Sequence, residues 1–299
     1  MKRNYYISSP GKLIRKENTI YFEPGENREP EESPETLEET LEIEDEQVEE
    51  TEETAEPKRM PRKPIPVEDI ESLYFFNELK FNTKFVNFAA KNQITMHLFN
   101  YYGYYSGSFY PREPFVSGKL LVEQVKSYTD PGKRVIIAKK FVEGAADNIV
   151  KNLQYHNARE KDMSYFLDEI NALQKRIPST EDVQELMGIE GNIRSTYYKS
   201  WPLIINDEIE FRKRDKHPPS NPVNALISFG NSLVYTSVLS EIYKTQLNPL
   251  VSFLHEPGER RFSLSLDIAE IFKPLLSDRI IFSLLNKRQI QEKHFTKEM

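Results

Sequence analysis

Cysteine is absent from the 299 residues. That excludes disulfides and thiolate metal sites and makes a reducing, cytoplasmic setting the expectation. No apolar run approaches the roughly 20 residues needed to cross a bilayer, and the start MKRNYYISSPGKLIRKENTIYFE has no continuous apolar core of the secretory kind. A soluble, unsecreted protein with no membrane role is expected. Also missing are a glycine-rich phosphate loop, HExxH and GxSxG, so ATP hydrolysis, zincin proteolysis and α/β-hydrolase chemistry have no support. No repeat of solenoid or propeller period occurs.

A net negative charge is missing from the body of the chain, although the whole carries −7. Seventeen of the 47 Asp and Glu fall between Glu23 and Glu56, where Arg28 is the only base among 40 Lys and Arg. The rest therefore carries 30 acids against 39 bases, a net of +9. A basic body favours polyanionic partners, because neutralised phosphates release counterions.

The pattern along the chain predicts an α+β protein, a β-sandwich followed by an all-α domain. NYYIS, GKLIRKEN and TIYFE alternate apolar with polar residues and read as a meander of strands. Residues 24–64, rich in Glu, Thr and Pro, read as a disordered acidic insertion. Strands resume in IPVEDIESLYFF, NTKFVNFAAKNQ has helical spacing, ITMHLFN is a strand, and YYGYYSGSFYPREP reads as a tyrosine-rich β-hairpin. That hairpin suits strand pairing or a dimer surface better than base stacking. The β domain is thus expected over 1–115. Over 116–299 six segments place apolar residues at i, i+3, i+4 and i+7, and the chain stops without a final helix cap, which reads as a truncation.

The candidate chemistry lies in HEPGERRFSLSLDIAEIFKP. If SLDIAEIF is helical, Asp267 and Glu270 reach one point, and the turn at Pro257 and Gly258 brings His255 toward them. Taken alone, Asp followed three residues later by Glu reads as a helix capping box before it reads as a metal site. Against capping, FSLSL offers no break before Asp267, and Ser263 or Ser265 could cap instead. Glu190 is a third acid, flanked by Gly188 and Gly191, which are costly in a helix and usually permit close approach of a backbone or ligand. Its plain alternative is a solvated helix face. Two carboxylates and an imidazole suit Mn²⁺ or Mg²⁺, which orient phosphodiesters. Phosphate contacts are expected from Arg212, Lys213, Arg214, Lys216 and His217, from Arg260 and Arg261, and from Lys273. The first group could instead be the cationic end of a helix, and the arginine pair solvated surface.

LMGIEGNIRSTYY, NPVNALISFGNSLVYTSVLSEIYKTQLNP and FLHEPGERRFSLSLDIAEIFKPLLSDRIIF closely resemble the CRISPR-associated integrase and endonuclease family that captures new spacers, and NYYGYYSGSFYPRE resembles its type I version. The resemblance spans nearly the whole chain except the acidic segment. It implies an N-terminal β-sandwich through which a homodimer forms and a helical catalytic domain. It also implies a small ferredoxin-like CRISPR-associated subunit whose dimer is flanked by two such homodimers, a heterohexamer. A Mg²⁺ or Mn²⁺ ion would be held by Glu190, His255 and Glu270, with Asp267 a further acid beside them. The implied reaction on DNA is attack of a fragment's 3′-hydroxyl on a phosphodiester at the edge of a CRISPR repeat. The acidic insertion and the end at Met299 depart from the family, whose members continue with basic helical sequence. Two other readings stand beside this one: a DNA-binding scaffold of the same fold with impaired catalysis, and an interaction protein acting through its acidic segment.

Overall fold

A computed structural model describes residues 2–17, 19–25, 63–100, 102–111, 116–205, 211–215, 221–259 and 262–295. The chain divides into two compact units, Met1–Arg112 and Glu113–Met299. Residues 26–62, most of the expected acidic insertion, lie outside the described residues. The two ends of that predicted insertion are strand instead.

The first unit holds two four-stranded sheets among the described residues. Strands β1 (Arg3–Ile7), β5 (Ile70–Phe75), β7 (Thr95–Phe99) and β8 (Tyr105–Phe109) form one, in that order. The other runs β4 (Lys63–Pro66), β3 (Thr19–Pro24), β2 (Gly11–Lys16) and β6 (Leu79–Lys80). Alternation puts Leu13, Ile20 and Ile65 of one sheet into a core shared with Ile7, Leu73, Phe75 and Met96 of the other. β5 and β7 are parallel, so a crossover must join them. It is helix α1 (Thr83–Lys91), which adds Phe85, Phe88 and Ala89 to that core and is capped by the Asn82 side chain.

Two expectations change. β2 and β3 make the predicted antiparallel pair, but β1 leaves them and lies parallel to β5. The three strands are therefore not a meander: alternation specifies a strand, whereas its partner is set by distant residues. The predicted tyrosine hairpin is shifted too. Its first strand is Thr95–Phe99, and the tyrosine-rich stretch supplies the turn and β8.

The second unit is helical: α2 (Gly118–Thr129), α3 (Pro131–Asn157), α4 (Ser164–Gln174), α5 (Val183–Ile204), α6 (Pro222–Tyr243), α7 (Ser263–Lys273) and α8 (Arg279–Asn286). Ser117, Asp130, Asp182 and Asn221 cap four of them with side-chain oxygens. On α5 the buried stripe is Leu186, Ile189, Ile193, Tyr197, Trp201 and Ile204, and it packs on Leu153 of α3 and Phe282 of α8. Glu190 and Arg194 each follow a stripe residue and so stand at its half-buried edge.

A π-helical turn, Pro274–Asp278, joins α7 to α8. Proline cannot donate to the carbonyl four residues back, which is that of Glu270. Neighbouring helices supply the donors: Arg194 Nη2 reaches Glu270 O at 3.2 Å, and Asn148 and Asn152 of α3 donate to Ile271 O and Pro274 O at 2.9 and 2.7 Å. Close approach of α6 also holds the turn, since a Cβ on Gly230 would meet Ser277 Oγ at 2.3 Å.

Candidate active site

α7 begins at Ser263, with no side-chain cap, so Asp267 lies inside the helix and the capping-box reading fails. Its carboxylate, wholly buried, serves another segment. It accepts the backbone N–H groups of Phe253, Leu254 and His255 at 2.6, 2.9 and 2.9 Å, and its Oδ1 lies 2.8 Å from His255 Nδ1. Asp267 thereby fixes both the turn that carries His255 and the ring itself. With Nδ1 engaged, Nε2 is the nitrogen left to face outward, the arrangement by which a carboxylate prepares an imidazole as a metal ligand.

Other groups fasten the same turn. Arg134 Nε donates to Phe253 O at 2.9 Å, and its Nη2 pairs with Glu256 at 2.7 Å. The Arg134 guanidinium lies over the Tyr128 ring, whose hydroxyl donates to Glu256 at 2.8 Å. Gln124 bonds Asn248 in both directions.

Glu190 and Glu270 meet through Arg194. The guanidinium places Nε 3.1 Å from Glu190 Oε1, and its Nη2 bonds the side chain of Glu270 as well as the main-chain oxygen freed by Pro274. Lys273 holds the other Glu270 oxygen at 2.5 Å. Burial works to raise the Glu270 pKa, but Arg194, Lys273 and His255 outweigh it and hold the carboxyl at about 2. Glu270 is thus an anion at every working pH.

Among the described residues no three His, Asp or Glu side chains converge closely enough to hold an ion as they stand. The donor set of two carboxylates and one fixed imidazole still fits a hard divalent cation, with Arg194 and Lys273 now occupying the carboxylates. Lys273, expected to touch phosphate, belongs to this cluster.

The remaining predicted cations divide. Arg214 is a strut, donating to Asn224 Oδ1 at 3.2 Å and Ser228 Oγ at 2.9 Å on α6. Arg212 and Lys213 are exposed, Lys213 lying 3.5 Å from Asp215. Lys216, His217, Arg260 and Arg261 lie outside the described residues. Gly188 and Gly191 were expected to permit close approach of a backbone or a ligand; among the described residues no other segment makes that approach, since a Cβ on either meets nothing within 4 Å beyond its own helix.

Sequence reasoning missed Arg194, although it stands four residues from Glu190 on a helix, the spacing of an ion pair. It also missed Asp278, fully buried with the Tyr197 hydroxyl beside its carboxylate. Burial raises that carboxyl to about 7, with Arg194 only partly offsetting it. No local pattern marks it.

Residues 5–299 match the family model described as "CRISPR associated protein Cas1". The chain belongs to the Cas1 family. A CRISPR-associated endonuclease Cas1 of Fusobacterium nucleatum is 50% identical over 298 residues, covering 100% of this chain and 78% of that protein. A Cas1 endonuclease of Pyrococcus horikoshii is 37% identical, covering 100% of this chain and 80% of its own. Among solved structures, a Cas1 protein from Thermotoga maritima has a TM-score of 0.80 at 38% identity, covering 99% of this chain and 83% of that one. A casposase bound to integration product, 18% identical with a TM-score of 0.78 over 99% of this chain and 76% of that one, shares the Cas1 fold. No helix among the described residues is long and apolar enough to cross a membrane.

Proposed function

We propose that this Cas1-family chain is a metal-dependent DNA endonuclease and integrase of CRISPR adaptation, joining short DNA fragments into a repeat array. The observation that carries the reading is the Asp267 carboxylate, which fixes His255 by Nδ1 while Glu190 and Glu270 share one cation beside it. Glu190, His255 and Glu270 would hold a Mg²⁺ or Mn²⁺ ion, which when bound stabilises charge on phosphate oxygens and favours a hydroxyl nucleophile.

The chain's own residues have separate tasks. Asp267 keeps the imidazole turned and its proton on Nδ1, so that Nε2 offers a lone pair. Lys273 and Arg194 keep Glu270 ionised in a buried setting. Exposed Arg212 and Lys213, with Arg260 and Arg261, would contact DNA phosphates and set the strand's position without reading its sequence. The new phosphodiester forms as the 3′-oxygen attacks phosphorus and the repeat's own 3′-oxygen departs with the electron pair. Water in place of that hydroxyl gives hydrolysis.

A homodimer joined through the first unit, bridged to its copy by a small ferredoxin-like subunit, is the assembly we propose. Exposed tyrosines of the first unit support a dimer surface: Tyr6 is 58% exposed and stacks on the buried Tyr74 at 4.8 Å, and Tyr102 and Tyr104 before β8 are 71% and 40% exposed. The test combines the chain, the small subunit, a fragment with free 3′ ends, a repeat-bearing plasmid and Mn²⁺. Glu190→Ala should abolish joining while leaving DNA binding in place. Equal joining by that variant removes Glu190 from the site, and DNA binding without any metal-dependent joining by the unmutated chain makes it a scaffold.

A further inference from the structure

The cation now between the catalytic carboxylates belongs to the protein. Arg194 is bound at both ends, to Glu190 four residues back on α5 and to Glu270 across the helix interface, and only 12% of its side chain is exposed. Its seat is also built from the backbone. Pro274 lacks the N–H that would close the helix onto Glu270 O, and Arg194 Nη2 takes that place at 3.2 Å. One guanidinium fork therefore satisfies two carboxylates and one otherwise orphaned carbonyl, which the single ammonium of a lysine could not span.

We propose that Arg194 is a positioning residue that stands in for the divalent ion: it holds Glu190 and Glu270 facing one another in the metal-free protein and yields its carboxylate contacts when the ion enters. This rests on the metal reading above. Without Arg194 the two carboxylates would face one another with Lys273, on Glu270, as the remaining cation of the cluster, and their repulsion is a cost that Arg194 removes. The same contacts oppose metal binding, because the ion must displace a guanidinium from both acids. Its bond to Glu270 O gives Arg194 a place to remain when the carboxylates turn away. Arg194 thus sets the affinity for the ion as well as the spacing of its ligands.

Mn²⁺ binding to the full chain, stripped of metal with a chelator, tests this by titration calorimetry, alongside melting temperature followed by the fluorescence of Trp201. Arg194→Gln should melt lower without metal, bind Mn²⁺ more tightly by about tenfold, the equivalent of one nearby positive charge removed, and gain more melting temperature from Mn²⁺ than the unmutated chain does. Arg194→Lys keeps the charge but not the fork and should fall between; it serves if the glutamine variant does not fold. Mn²⁺ affinity in either variant equal to or weaker than that of the unmutated chain overturns the proposal and leaves the metal site standing. Absence of Mn²⁺ binding by the unmutated chain overturns the metal reading itself, and this inference with it.

Discussion

Replacing Asp267 by Ala should unfasten the His255 turn, and the cost can be worked from its bonds. The side chain is wholly buried and accepts three main-chain N–H groups, of which those of Phe253 and Leu254 are buried. A buried donor left without an acceptor costs about 1–3 kcal/mol, and a charged acceptor lies at the upper end. Two such donors, and a third reachable by water, give about 3–5 kcal/mol. At about 2–4 °C per kcal/mol for a unit of this size, the melting temperature should fall by roughly 10 °C. The chain's single tryptophan, Trp201, is fully buried among the helices, so its fluorescence reports this unit. His255→Ala is the control. It removes one hydrogen bond and a ring whose side chain is 25% exposed, so it should cost about 1 kcal/mol while abolishing joining. A melting temperature for Asp267→Ala within about 2 °C of the unmutated protein, less than about 1 kcal/mol by the same conversion, would refute the idea that this carboxylate holds the turn.

Two further substitutions probe the surroundings. Gly230→Ala should cost about 1–3 kcal/mol by overpacking, since its Cβ would meet Ser277 Oγ at 2.3 Å; adding Ser277→Ala should restore much of the loss, and urea titrations showing strict additivity would contradict the contact. Asp278→Asn tests the buried acid. Its folded pKa, about 7, lies above the unfolded value, so the native state binds the proton that the unfolded state releases, and the stability this provides is lost as pH rises from about 4 through 7. The amide does not titrate. Its stabilising effect should therefore grow between pH 5 and pH 8, on the order of a few kcal/mol at about 1.4 per pKa unit. Glu270, with its depressed pKa, loses stability only as pH falls below the usual carboxylate range, outside this window. An equal effect at pH 5 and pH 8 would show that Asp278 is ionised throughout.

Elements were legible where the pattern is local. The periodicity of VQELMGIEGNIRSTYYKSWPLI places α5 because Ile189, Ile193, Tyr197 and Trp201 repeat along one face, and the change from alternation to helical spacing separates β from α. Pairing was not legible: nothing within NYYIS says that its neighbour is Ile70–Phe75 and not Gly11–Lys16. At the site, FSLSL already argued that α7 starts before Asp267, but the carboxylate's three N–H partners lie in an irregular turn with no periodicity. Basic residues were the least informative. Arg214 and Lys213 are neighbours in one cluster, yet one braces α6 and the other is exposed, because charge in a sequence does not reveal what it faces. The glycines beside Glu190 show the same limit, since a residue's rarity in helices cannot say whether its missing side chain leaves room for protein, for a ligand or for solvent.

The His255 turn is tied to chain positions very distant in sequence: Gln124 with Asn248, Tyr128 with Glu256, Arg134 with Phe253. Each tie closes a loop of more than a hundred residues, which is slow to form and gains nothing until α2 and α3 have met the turn. Glu190 is likewise joined to Glu270 only when α5 meets α7. A chain still being synthesised therefore has every one of these residues except the last without having an active site. Competence to cut DNA arrives late and all at once, as a property of the finished fold.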